Sequence, residues 1–188
     1  EQEGVNVIYQ VSKNGGYYFP PNLSTGSGIP IYYEKRINYM PSKEQVESEI
    51  SFFMNQKLFF CTRNFVDFAD LNISQQDIRT QTTIENEKII LNINYLISIN
   101  KGKSTSLIKN FKLEIPVRAG IVYDSVAEFM HSNQTNGICL SCLDGISTKN
   151  DLYIEMMDYD EKTTIFIFRD KNSKINGNDF VWDFANEY

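Results

Sequence analysis

Histidine is nearly missing from this chain: 188 residues include one, His131. A single imidazole leaves few routes to general acid–base chemistry near neutral pH, and a Ser-His-Asp triad would have one choice for its central member. His131 falls beside Ser132 and Asn133 at the polar end of an expected helix, the ordinary place for a solvated side chain. Long apolar runs are missing too. The most apolar stretch, Ile89 to Ile99, is interrupted by Asn92, Asn94 and Ser98, so no segment reaches the length of about 18 residues that a bilayer-spanning helix needs. Basic blocks are also lacking: 18 Lys and Arg stand against 24 Asp and Glu, a net charge of −6. That balance disfavours a protein that tracks nucleic-acid phosphates. The glycines of Ser24-Thr25-Gly26-Ser27-Gly28 have no following Lys-Ser or Lys-Thr and no strand–helix frame, so they read as a loop and not a phosphate cradle.

What is present is ordinary globular material, 41% hydrophobic and 22% charged, in a chain long enough for one domain without a metal or disulfide to hold it. Residues 1–42 form an irregular N-terminal arm. Val5, Ile8 and Val11 have helical spacing and read as the tail of a helix that begins upstream. Gly15-Gly16, Pro20-Pro21 and the Ser24–Gly28 loop then break the chain into short aromatic pieces, Tyr17-Tyr18-Phe19 and Ile29 to Tyr33. Residues 43–188 form a single α+β domain. Ser42 with Gln45 makes a capping box, and Val46, Ile50, Phe53, Met54 and Leu58 follow at 3.6-residue spacing, predicting a helix from 43 to about 61. Three alternating runs follow: Ile78 to Ile84, Ile89 to Ile99, and Leu107 to Val117. They predict an antiparallel meander with one wet face. A second helix is expected over 119–133, then a polar connection over 134–150. Strands at 151–158, 162–169 and 179–185 close the chain, with Asn176-Gly177 as a hairpin signal. The expected layout is helix–βββ–helix–βββ, a curled antiparallel sheet packed on two helices.

Four short strings carry a resemblance. Gly15-Gly16-Tyr17-Tyr18, Met40-Pro41-Ser42, Glu114-Ile115-Pro116-Val117-Arg118 and Ser173-Lys174-Ile175-Asn176-Gly177 resemble landmarks of uncharacterised membrane-anchored surface proteins of small-genome archaea. The resemblance implies an upstream membrane helix or pilin-like segment followed by an ectodomain of about this size. It brings no catalytic residue with it.

The remaining chemistry-bearing residues sort by what each needs. Cys61 ends the first helix, and Cys139 and Cys142 lie three apart after the second. If the two helices pack side by side, Cys61 reaches one of that pair for a disulfide. Unpaired buried thiols come next. A Cys3His zinc site from Cys61, His131, Cys139 and Cys142 has suitable ligand types but only one close pair, and a redox exchange motif lacks its βαβ setting. Glu155, Asp158, Asp160 and Glu161 offer paired carboxylates, but they surround a predicted hairpin turn, where acids are usually solvated. Three sequons, at Asn22, Asn72 and Asn133, are no more than chance supplies at this Asn, Ser and Thr content. Aromatics concentrate in the arm, making Tyr17, Tyr18, Phe19, Tyr32 and Tyr33 the interface candidates, unless they simply pin the arm to the sheet. The expectation is a non-enzymatic extracellular or cell-surface domain with no metal and no cofactor. Its partners would be proteins, through self-association or a surface partner as in a filament subunit, with no nucleic acid, and it would meet the membrane only through an upstream segment. A carboxylate-dependent hydrolase of surface polymers and a small-ligand-binding curled sheet are the alternatives.

Overall fold

The computed structural model describes residues 17–18, 28–132 and 137–188. The α+β class holds, with three α-helices and three open sheets among the described residues. The layout is more divided than the expected single curled sheet on two helices.

The capping box at the start of the first helix forms as its residues dictate. Gln45 N–H donates to Ser42 Oγ (3.2 Å) and Ser42 N–H donates to Gln45 Oε1 (2.7 Å). Helix α1 then runs over Lys43–Thr62 and tightens into a 3-10 turn, Arg63–Phe68. The meander follows in six pieces: β4 (Asn72–Gln75), β5 (Arg79–Ile84), β6 (Ile89–Asn94), β7 (Ile97–Lys101), β8 (Ser104–Ile108) and β9 (Phe111–Ile115). They pair as β4-β7-β8 and β5-β6-β9. Two of the three expected strands are therefore broken, Ile89 to Ile99 between β6 and β7 and Leu107 to Val117 at Asn110, whose φ of 59° leaves the extended region, while Ile78 to Ile84 stays whole as β5. Alternation survives the break, because Leu91, Ile93, Tyr95 and Ile97 are all buried beneath Ile50, Met54 and Leu58 of α1. One core thus serves both short sheets.

The second half holds the larger core. Helix α2 (Ala119–Ser132) lays Val122, Val126, Phe129 and Met130 on a sheet built from β10 (Tyr153–Asp158), β11 (Thr163–Ile175) and β12 (Asn178–Glu187). Phe166 lies opposite Phe184, and Phe168 opposite Trp182, so period-two alternation aims four aromatic side chains at the helix. Phe129 meets three of them at ring distances of 4.7–6.3 Å. Asn176 and Gly177, with φ of 51° and 83°, make a tight two-residue turn, and β11 continues past the expected end at 169 to Ile175, through an irregularity between Asp170 and Lys174.

Two departures have identifiable causes. The stretch read as a polar connection contains helix α3 (Leu140–Asn150). It buries only Leu143 and Ile146 and is capped by Cys139, so it shows neither a wide apolar stripe nor the usual cap residue. The arm also contributes more than an edge. β2 (Ile29–Glu34) pairs in parallel with β12 and antiparallel with β1 (Tyr17–Tyr18), while β3 (Ile37–Asn38) adds to β2. A parallel partner more than 150 positions away leaves no local signal.

Candidate binding surface

The sheet β5-β6-β9 has two faces set by alternation. Inward, α1 hydrogen-bonds along β5: Glu47 accepts from Ile84 N–H, Ser51 Oγ donates to Thr82 Oγ1 and accepts from Thr82 N–H, and Asn55 accepts from Thr80 N–H. Outward, the register places Arg79 opposite Asn94, Gln81 opposite Asn92, and Asn92 opposite Lys112. Neighbours across a sheet sit about 5 Å apart, so these side chains form one continuous polar array. With Asn110 they line an open groove of about 450 Å³.

The array is exposed to solvent. Arg79, Gln81, Asn92 and Asn94 have no ion-pair or side-chain hydrogen-bond partner among the described residues. Lys112 is engaged at the groove's border, 2.6 Å from Glu114, which also receives Lys88 at 2.9 Å. Hydrogen bonds from Lys112 and then Lys88 hold the Glu114 carboxyl down at about 2, so it stays an anion. The lining contains no Asp, Glu, His or Cys. Each amide offers both donors and acceptors, and the Arg79 guanidinium offers a fork matched to a carboxylate or sulfate-like group. Such groups can hydrogen-bond hydroxyls and pair with an anion. The lining supplies no nucleophile–base pair.

The residues singled out from sequence lie elsewhere. Cys139 and Cys142 form a disulfide with each other across three positions, leaving Cys61 free and exposed. The expected bridge to Cys61 is therefore replaced, because α3 brings its own two cysteines into one helical turn. The zinc alternative is not assembled, since among the described residues no three His, Cys, Asp or Glu side chains gather to hold a metal. Tyr32 and Tyr33 are core residues and not an exposed platform. Tyr32 is 0% exposed, accepts from Trp182 Nε1 at 3.1 Å and stacks on Phe184 at 4.9 Å. Both belong to the main core cluster, and their strand is paired on both edges, with β1 and β12. Tyr17 and Tyr18 place their backbone on Pro30 and Ile29, while Phe19 lies outside the described residues, as do Asn22, Asn133 and the helix tail expected at Val5, Ile8 and Val11. Asn72 is exposed on β4. The acidic segment is a turn: Asp160 accepts from Lys162 and Thr163 N–H, bonds that hold its carboxyl below the usual range.

Two of the four landmark strings meet. Arg118 N–H donates to Ser173 Oγ at 2.7 Å, and Arg118 and Ser173 both face the buried Asp170 carboxylate. A third contributes Pro41, whose carbonyl accepts from Tyr123 at 2.9 Å. These residues join elements of the fold. No helix among the described residues is long and apolar enough to cross a membrane. Compared with known proteins, the chain matches no family model, no curated protein and no solved structure.

Sequence reasoning identified the wet face of the meander but not the groove. The signal was there in Gln81, Asn92 and Asn94, which are amides at positions where solvated strands more often carry charges.

Proposed function

We propose that the protein is a non-enzymatic binding domain of a cell surface, and that the outer face of β5-β6-β9 takes a hydroxyl-rich, acidic saccharide. The observation that carries the reading is the array itself: Arg79, Gln81, Asn92 and Asn94 in register on one face, without partners among the described residues. A net charge of −6 would repel an acidic ligand elsewhere, and the groove, bordered by Arg79 and Lys112, is where that repulsion is locally reversed. The Cys139–Cys142 disulfide supports placement in an oxidising compartment outside the cytoplasm. The hydrolase alternative gains no support from a groove whose lining contains no carboxylate, and its openness gives none to a closed ligand cavity.

Individual hydrogen bonds to such a ligand each contribute about 1 kcal/mol net, so short oligosaccharides should bind weakly. The test is calorimetric titration with uronate oligosaccharides and their neutral counterparts. Arg79→Ala should weaken uronate binding about ten-fold and leave neutral-sugar binding nearly unchanged, while Asn92→Ala should weaken both. Uronate binding that is absent, or indifferent to both substitutions, would refute the proposal.

A further inference from the structure

β9 is an edge strand. Among the described residues its one hydrogen-bonded neighbour is β6, and Phe111, Lys112, Leu113 and Glu114 are all exposed, Phe111 by 42% and Leu113 by 47%. The cause lies in the packing of α1, whose hydrogen bonds run along β5 on the far side of the sheet. An open edge bearing apolar side chains is a template for a further strand.

The edge also specifies which strand fits. It is usable over five residues, Phe111–Ile115: Asn110 leaves the extended conformation at one end, and Pro116 has no N–H at the other. A second copy that pairs antiparallel with all five must place Leu113 against Leu113. Phe111 then faces Ile115 of the second copy, and Lys112 faces Glu114 of the second copy. Every opposed pair is apolar with apolar, or cation with anion, the combinations that stabilise cross-strand neighbours. Moving the two-fold axis by one residue sets Lys112 against Lys112 or Glu114 against Glu114, so self-complementarity selects a single register.

We propose that the protein forms a two-fold dimer through β9, joining the two three-stranded sheets into one. This inference does not depend on the groove having a ligand. Two measurements test it, made on the full chain carrying Cys61→Ser so that the exposed thiol contributes nothing. In sedimentation equilibrium the parent should dimerise. Lys112→Glu should weaken the dimer about ten-fold or more, since symmetry counts the reversed pair twice, and Lys112→Glu with Glu114→Lys should recover it. Leu113→Cys should give a disulfide-linked dimer under mild oxidation, while Lys112→Cys should not, because in this register only Leu113 meets its own copy. A parent that stays monomeric at all concentrations would overturn the inference. So would a dimer indifferent to Lys112→Glu, or one that Leu113→Cys cannot cross-link.

Discussion

Replacing Asp170 with Ala removes the centre of a buried polar joint, and the cost follows from what is left behind. Asp170 is 0% exposed. Its Oδ2 accepts from Ser173 Oγ at 2.5 Å and its Oδ1 from Asn172 N–H at 3.0 Å. Arg118 Nε stands 3.2 Å from Oδ2 without hydrogen-bond alignment, so that attraction is chiefly Coulombic. The Arg118 Nη2 meanwhile donates to the Asn150 carbonyl at 2.5 Å. The joint thus ties the start of α2, the end of α3 and the irregular stretch of β11. In the Asp170→Ala protein a mostly buried guanidinium keeps one carbonyl and loses its counter-charge. Breaking a buried pair from one side costs about 3–5 kcal/mol, or about 6–20 °C in Tm for a chain of this size. Urea unfolding with unchanged m-value gives the figure directly. Arg118→Met combined with Asp170→Ala should cost clearly less than the two single losses added, because no unpaired charge remains. A single-substitution cost below about 1 kcal/mol, or simple additivity of the two, would refute the reasoning.

Three further outcomes are expected. Gly120→Ala should destabilise by about 1–3 kcal/mol in urea unfolding, because its Cβ would lie 2.5 Å from the Glu85 carbonyl oxygen, where the β5–β6 turn docks on α2. Asp183 has its carboxyl pushed above the usual 3.8 by burial, so ionising it opposes folding. That penalty is absent below pH 3.8 and complete above the raised value, and stability falls as pH rises between them. Asp183→Asn should therefore raise the neutral-pH unfolding midpoint and leave the most acidic one unchanged. Removing the Cys139–Cys142 bridge by replacing both residues with Ser should cost no more than about 2 kcal/mol, since the closed ring is short and the serine hydroxyl introduced by Cys139→Ser still caps α3. Replacing both with Ala should lose about 1 kcal/mol more through the missing cap, measured by denaturant titration under identical conditions.

How much of this was legible from residues alone depended on how local the cause was. The capping box at Ser42 and Gln45, the Asn176-Gly177 turn and the inward–outward alternation from Leu91 to Ile97 each rest on neighbours within a few positions, and each formed, while the meander itself divided into two short sheets. Helix α3 was hidden because its apolar face is two residues wide and its cap is a cysteine. The burial of Tyr32 and Tyr33 was hidden for a different reason: it depends on β12, and nothing near residue 32 encodes a strand at 185. The groove lay between these extremes. The polar side of β6 was visible as Asn92 and Asn94, but the alignment of Arg79 with Asn94, and of Gln81 and Lys112 with Asn92, is a matter of register across three strands.

Register also connects the two proposals. Residues opposed across an antiparallel pair share a face, so the β9 dimer sets both amide arrays on the same side of the joined sheet, with the Lys112–Glu114 pairs between them. Two weak sites facing one way favour a repeating polymer over a short fragment, because the second contact is made at high effective concentration. Dimer and groove then predict a dependence that neither predicts alone. Leu113→Asp, which sets like charges against each other at the dimer axis on the face away from the groove, should reduce affinity for a long acidic polysaccharide far more than for its short oligomer, whereas Arg79→Ala should reduce both by comparable factors. An equal effect of Leu113→Asp on long and short ligands would leave the two surfaces unconnected.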